Sequence, residues 1–557
     1  MPSFVRSIWF RALPIAAVLH CFCTSLPAQT RSAEQGSAAD LKFKIAGTVV
    51  NSITGAPLGK ARITLMDTAN RANMLSVVTG DDGHFEFYSL YRAKYSLQGA
   101  KRGFISAAYE QHEQFSTAIV TGPGFNTENL VFRLTPLAFV GGKVIDESGE
   151  PVRKARVFLY AETHQGGMNR IERRGTDLTD DEGYYEFSAL APGNYFVSVS
   201  AKPWYAFHLS PSARSGGSSS PGVTPLDVGY PTTYNNGATD SQGATPFPLQ
   251  AGDHVQVDIP LSPVPVVHLT FRVPEDQQSG PRMPQLRRRV FDTFEYVGYD
   301  GVQSTAPGVF ELSGVPAGKY SVVLPDSQTG RPQQSSEITL DKDGQELDVS
   351  HAEAMASLKL SVKMPRQTPV SPQVTIGLQD SRTRVIAANA IDAAGEVTFE
   401  GIPPGKYALV AFSQDKRYSV VRTVFSGVET SDHVLTLTPG SSLSGTVFLA
   451  LGVVAVEGFV HRGGKPSSGV MVALIPKDSQ YHLDMFRRDQ SDSDGSFTLP
   501  AVIPGTYTLI AVEDAWGFQW LQPDVLNRYL QHGQNLTIGE LMTNTVHLPE
   551  PVEVQPR

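Results

Sequence analysis

The stretch "TDDEGYYEFSALAPGNYFVSV", Thr179–Val199, joins an acidic glycine turn, an alternating aromatic segment, a Pro-Gly turn and a tyrosine-led segment. Tyr185 and Phe187 alternate with Tyr184, Glu186 and Ser188, the period-two pattern of a strand with one covered and one wet face. Pro192 and Gly193 then reverse the chain. Tyr195, Val197 and Val199 open a second alternating strand.

Four other stretches carry the same succession, beginning at Thr79, Thr305, Asp392 and Asp492. With Gly83, Gly183, Gly308, Gly395 and Gly495 as origins, Tyr95, Tyr195, Tyr320, Tyr407 and Tyr507 each follow twelve residues later. Five ungapped matches mark an internal repeat. Apolar residues recur two, four and seven places after the glycine, as in Phe85, Phe87 and Leu90 or Phe497, Leu499 and Val502. Each unit therefore contributes a short strand, a plug for the core and a strand after the turn. The tyrosines are expected to be core residues with satisfied hydroxyls.

Upstream of three units lies a second recurring pattern: "IAGTVVNSITGAPLGKARITLMD" from Ile45, "VGGKVIDESGEPVRKARVFLYAE" from Val140 and "VEGFVHRGGKPSSGVMVALIPKD" from Val456. A strand, a polar glycine turn, a proline and another strand read as a hairpin or a corner. Joined to the downstream pair, they predict an all-β fold of tandem small antiparallel β-sandwich domains, transthyretin-like or immunoglobulin-like. The expected spans are a signal peptide at 1–28 and sandwiches at 37–136, 137–262, 263–350, 351–440 and 441–549, with a loose tail at 550–557. The third and fourth are degenerate at their starts, and the second carries a Ser/Gly/Pro-rich insertion near 209–247.

The 557-residue chain has a net charge of -9 and no long basic run, which argues against a nucleic-acid partner. Arg6 and Arg11 precede or interrupt an apolar run that ends near Leu19, and small residues follow up to Ala28, the outline of an export signal. Cys21 and Cys23, the only cysteines, lie in that leader, so the sandwiches hold together by packing alone. Beyond the leader, no segment is apolar for long enough to span a bilayer as a helix.

The motif set carried by Gly47, Pro57, Gly83, Phe85, Phe87 and Tyr95 in the first unit resembles the carboxypeptidase regulatory-like domain. Gly142, Pro151, Gly183, Tyr185, Phe187, Pro192, Gly193 and Tyr195 carry it in the second, and Gly458, Pro466, Gly495, Phe497, Pro504, Gly505 and Tyr507 in the fifth. The pattern is also similar to collagen-adhesin B-type repeats and to the carbohydrate-binding-like sandwich. The resemblance implies an exported bacterial envelope protein, located in the periplasm, at the outer membrane or outside the cell.

The resemblance raises a peptidase reading, which the residues oppose. Only His547 with Glu550 has the His-x-x-Glu zinc spacing; no His follows it, and Pro549 interrupts the helix that the pair would need. No nucleophile elbow or phosphate loop is present, and "DDEG" at Asp180 and "DSDG" at Asp492 read as capped turns rather than calcium loops. An adhesin-like Lys–Asn crosslink from Lys42 or Lys44 to Asn126 or Asn129 would need Glu86 buried, whereas its alternation with Phe85 and Phe87 places it in solvent. No catalytic residue, metal or cofactor is expected.

Binding remains. Phe104, Trp204 and Trp516 each stand nine residues after the repeat tyrosine. They either pack over their own sandwich or a neighbouring one, or form stacking platforms for a sugar. In the second case Tyr205, Tyr234 or Trp520 supplies another wall, and Asp240 or Asp514 meets the hydroxyls. The expected function is a non-enzymatic exported protein that binds a polysaccharide or another envelope component through its end loops. A structural or protein–protein scaffold is the alternative, and an accessory part of a peptidase system a remote one.

Overall fold

The computed structural model describes residues 42–557 except 166, 209–225, 273–283, 299–300, 308, 326–331, 348–352, 365–372, 415–416, 426–427, 431–432, 478–481 and 520–521. The expected export signal lies outside the described residues. The fold is almost entirely β. Among the described residues, five sandwich cores follow one another, built around Phe85 and Tyr95, Phe187 and Tyr195, Phe271 and Tyr320, Phe399 and Tyr407, and Phe497 and Tyr507.

Each core lies between two sheets assembled by one rule. In the first sandwich, Phe43–Asn51 pairs antiparallel with His84–Leu90 and parallel with Leu130–Leu134. The opposite sheet pairs Arg62–Asp67 with Lys94–Ala100. In the four other units the opening strand likewise has the strand after the glycine turn as antiparallel neighbour and a late strand as parallel one. The upstream pattern is thus a corner rather than a hairpin, because its two strands do not pair with each other: in the first two units they join different sheets, and in the fifth they are linked through Val552–Gln555. The Pro-Gly turn likewise carries the chain from one sheet to the other.

The repeat residues act as a set. Gly83, Gly183 and Gly495 have φ of 72°, 77° and 79°, and a Cβ on them would sit 2.6 to 2.8 Å from the carbonyl oxygens of Val49, Val144 and Val460. Pro57, Pro151 and Pro466 close the other side, so the glycine and the proline of the pattern are one packed corner. All five tyrosine hydroxyls donate to the carbonyl four residues earlier, from Tyr195 to Ala191 at 2.7 Å and from Tyr507 to Ile503 at 2.6 Å. Their rings are buried. Burying an aromatic ring contributes roughly 1.5 to 3 kcal/mol, and the paired hydroxyl avoids the cost of a stranded polar group.

Two further recurrences escaped the sequence reading. Four residues before the glycine, the Thr79, Thr179 and Ser491 hydroxyls donate to Leu58, Val152 and Ser467 carbonyls and accept the N–H of Ala61, Ala155 and Val470. Six residues after it, Ser89, Ala189, Gly314, Gly401 and Ala501 all adopt positive φ.

Strand pairing moves several expected boundaries. Ser442–Leu451, expected to open the fifth unit at 441, pairs with Ala356–Lys363 and Tyr418–Phe425 and so completes the fourth. Glu353–Ala354 still belongs to the third sandwich through Pro332–Leu340. Val228–Gly229, from the insertion, pairs with Val264–Arg272 of the third sandwich. The expected loose tail is instead Val552–Gln555, a strand pairing parallel with both Val454–Arg462 and Gly505–Val512. Its alternation buries Val552 and joins the two sheets of the fifth sandwich.

Candidate functional site

The three loop aromatics have three different surroundings. Phe104 is half-buried against the core of the first sandwich and forms a backbone bridge with Pro136. Trp204 is 87% exposed and meets Tyr205 edge-on, with centroids 5.8 Å apart. Trp516 is 7% exposed, within the short turn Ala515–Gly517.

Trp516 is covered by the first sandwich. His112 stacks on it at 5.2 Å with planes 7° apart, Phe115 lies 5.6 Å away, and its Nε1–H donates to Gly469 O at 3.4 Å. This corrects its expected place on an open sugar platform, because the faces a sugar would use are already covered.

The surrounding contact is extensive. Arg488 grips Glu113 with two parallel hydrogen bonds of 3.2 and 2.8 Å, both side chains being nearly buried. Gln490 donates to Glu110 O and Thr117 Oγ1, and Lys94 Nζ donates to Asp492 Oδ2 at 2.7 Å and Ser496 Oγ at 2.8 Å. Asp492 Oδ1 accepts the Ala118 N–H. In the second and fourth units the matching Asp180 and Asp392 cap their own turns. In the fifth, Asp494 takes the Ser496 N–H, and Asp492 reaches across to the first sandwich. Burial raises the Asp492 carboxyl above its ordinary value against the pull of Lys94.

Trp204 and Tyr205 form the accessible aromatic pair. The Tyr205 hydroxyl donates to Glu147 Oε1 and the Tyr230 hydroxyl to Glu147 Oε2, the latter at 2.9 Å. The hydrogen bond to Glu147, aided by burial, pushes the Tyr205 phenol up to about 12. Tyr234, expected as an accessible wall, is instead buried with its ring edge-on to Phe291 of the third sandwich. Asp240 is exposed and caps its own loop through the N–H groups of Gln242 and Gly243. Asp514 is exposed beside the covered Trp516, and Trp520 lies outside the described residues.

The residues considered for chemistry have other positions. His547 is exposed, 3.4 Å from Glu457 on the strand beside it. Lys44 forms ion pairs with Glu86 and Glu128, and Glu86 is partly exposed. Among the described residues, no group of three or more His, Cys, Asp or Glu is placed to hold a metal.

A His–Asp chain does form in space: His208 Nδ1 is 2.9 Å from Asp227, Asp227 is 3.7 Å from His268 Nε2, and His268 Nδ1 is 2.8 Å from Asp343. Asp227 and His268 are fully buried, so they have no surface on which to meet a substrate. They tie the segment before Val228–Gly229 to the third sandwich beside the strand pair they share. No local sequence signal announces this chain, since its members come from four separate segments.

These features define a tandem β-sandwich repeat protein. Residues 44–135 and 140–217 match the carboxypeptidase regulatory-like domain, and residues 448–535 match the second β-sandwich domain of BOS complex subunit NOMO1-like proteins. No curated protein matches the chain. Among solved structures, the Bacillus anthracis TIE protein is 9% identical, with 75% of this chain and 76% of that one covered at a TM-score of 0.17. The Streptococcal ancillary pilin is 14% identical, with 51% and 100% covered at 0.18. Two B repeat units of the Staphylococcus aureus collagen-binding protein are 11% identical, with 73% and 99% covered at 0.12.

Proposed function

We propose that the protein is a non-enzymatic, exported envelope protein that binds a carbohydrate through the loop bearing Trp204 and Tyr205. The observation that carries this reading is the 87% exposure of Trp204 beside a tyrosine anchored by Glu147. A flat ring in water contributes nothing to its own core, yet it can stack on the C–H face of a sugar. The leader before Gln29 supports export, and no helix among the described residues is long and apolar enough to cross a membrane.

Affinity electrophoresis of the full chain on a panel of neutral polysaccharides tests the reading. Trp204→Ala is expected to abolish the retardation seen with the parent while leaving its melting temperature within about 1 °C, as for an exposed side chain. Absence of retardation in the parent rejects the carbohydrate ligand.

The scaffold alternative draws on a different observation, the hydrogen-bonded contact of the first sandwich with the fifth around Trp516. In that reading the sandwiches serve to hold one another in a fixed arrangement.

A further inference from the structure

Between the second, third and fourth sandwiches lies a cleft of about 690 Å³. Its walls include Arg288, Arg289, Lys319 and Arg382, against Asp240 and Glu337. Such an excess of cations is unusual in a chain of net charge -9. Strand register shows how it arises. Leu286 of Gln285–Val290 points into the core of the third sandwich, so Arg287 and Arg289 lie on the opposite face, Arg289 lining the cleft. Across the antiparallel pair, Arg287 faces Tyr296 and Arg289 faces Phe294. Both rings are open to solvent, at 71% and 49% exposure. The Arg287 guanidinium lies over the Phe294 ring, 5.4 Å from its centroid.

Arg288 donates to Thr232 Oγ1, and Arg289 donates through Nε to Phe291 O at 3.2 Å, which leaves its terminal amino groups available. Arg289, Lys319 and Arg382 have no carboxylate partner among the described residues. The contrast is Arg384, near Arg382 in the same turn, which is paired with Asp380 at 2.6 Å. Asp240 uses Oδ1 for its own loop. Like charges gathered from two strands and a neighbouring sandwich repel one another, and an anion between them would relieve that repulsion.

We propose that this cleft binds an anionic polysaccharide, a chain of carboxylate-bearing sugars. The inference rests on the carbohydrate reading and adds a second site with a different ligand class. Guanidinium groups match carboxylates in fork geometry, and the exposed Phe294 ring beside them fits the C–H face of a sugar. The cations lie on two strands of the third sandwich and on a turn of the fourth. That spread suits a polymer better than a single small anion, which calls for donors converging on one point.

The test uses the full chain with polygalacturonate, its fully methyl-esterified form and an oligo(dT) strand, at low and raised salt. Polygalacturonate is expected to bind, with affinity falling as salt rises, and the neutral ester and oligo(dT) are expected to bind at least about tenfold more weakly. The triple variant Arg289→Gln, Lys319→Gln, Arg382→Gln should lose at least about tenfold in affinity with its β spectrum retained. Phe294→Ser should weaken binding independently. Trp204→Ala should leave polygalacturonate binding unchanged, so failure here is distinguishable from failure at the Trp204 loop. Lack of polygalacturonate binding by the parent, equal binding of the ester, preference for oligo(dT), or full affinity in the folded triple variant overturns the proposal.

Discussion

His112 and Trp516 lie face to face, 5.2 Å apart and 7° from parallel, at the contact of the first and fifth sandwiches. The indole contributes buried area there, and truncation leaves a cavity that the surrounding strands cannot fill. Trp516→Ala is expected to cost about 3 to 5 kcal/mol, read as a lowered thermal transition of the full chain. An unchanged transition would show that the first and fifth sandwiches do not depend on this contact.

Arg488 and Glu113 provide a separate test of the same contact. Their paired hydrogen bonds are nearly out of solvent, so removing one partner takes two charge-assisted bonds from the other in a nearly buried place. Glu113→Ala is expected to cost about 3 to 5 kcal/mol. Adding Arg488→Met should recover part of that loss, because the nearly buried guanidinium is then replaced by an apolar side chain. A double variant as unstable as the sum of the singles contradicts direct coupling.

The positive-φ position six residues after the repeat glycine is Gly in the third and fourth sandwiches and Ala in the second and fifth. A Cβ is disfavoured in that conformation. Ala189→Gly and Ala501→Gly should each stabilise by roughly 0.5 to 1 kcal/mol, measurable by denaturant unfolding. Loss of stability in both would show that the methyl groups contribute more through packing than they cost in strain.

The repeat was legible because its signals are local. Period-two alternation, the glycine and the tyrosine report on neighbours along the chain, and their roles recur at each core. The surroundings of Trp516 were not legible, since its partner His112 belongs to a remote sandwich whose place no local pattern encodes. Ser442–Leu451 and Val454–Arg462 carry the same alternation, so only sheet pairing assigns them to different sandwiches. The prolines near the C-terminus suggested a loose tail. They flank the paired strand Val552–Gln555, where Val552 and Val554 retain the alternation of a strand with one covered face.

Asp484 of the fifth sandwich accepts the N–H groups of Ala411 and Val420 of the fourth. Burial pushes its carboxyl from 3.8 up to about 6. A raised carboxyl takes up a proton on folding. Its contribution is therefore full below the unfolded value and is lost as pH rises through about 6. Nearby, His433 Nε2 lies 2.8 Å from His482 Nδ1, and burial pushes His433 down to about 3. That group acts in the opposite sense, its contribution being lost as pH falls below its unfolded value of 6.5. Asp484→Asn isolates the first effect. Between pH 7 and pH 4 the stability of the parent relative to this variant should rise by about 2 to 3 kcal/mol. A constant difference across that range would show that Asp484 does not titrate with folding.

The buried hydroxyls four residues before the glycine give the most direct test of the corner that recurs in three sandwiches. Thr179 Oγ1 donates to Val152 O at 2.6 Å and accepts the Ala155 N–H at 2.8 Å, so one atom satisfies both an acceptor and a donor of the turn it clasps. Thr179→Val keeps the shape and removes both bonds, leaving the carbonyl and the amide unpaired in a buried place. A cost of about 2 to 4 kcal/mol follows, from roughly 1 to 3 kcal/mol for each stranded group with partial relaxation. Thr179→Ser keeps the oxygen and removes only the methyl, as Ser491 does at the matching position of the fifth sandwich. It should cost about 1 kcal/mol, near the value for one buried methyl. Thermal or denaturant unfolding of the two variants decides the point: a larger loss in Thr179→Ser than in Thr179→Val would mean that the methyl packing, rather than the hydroxyl, holds the corner closed.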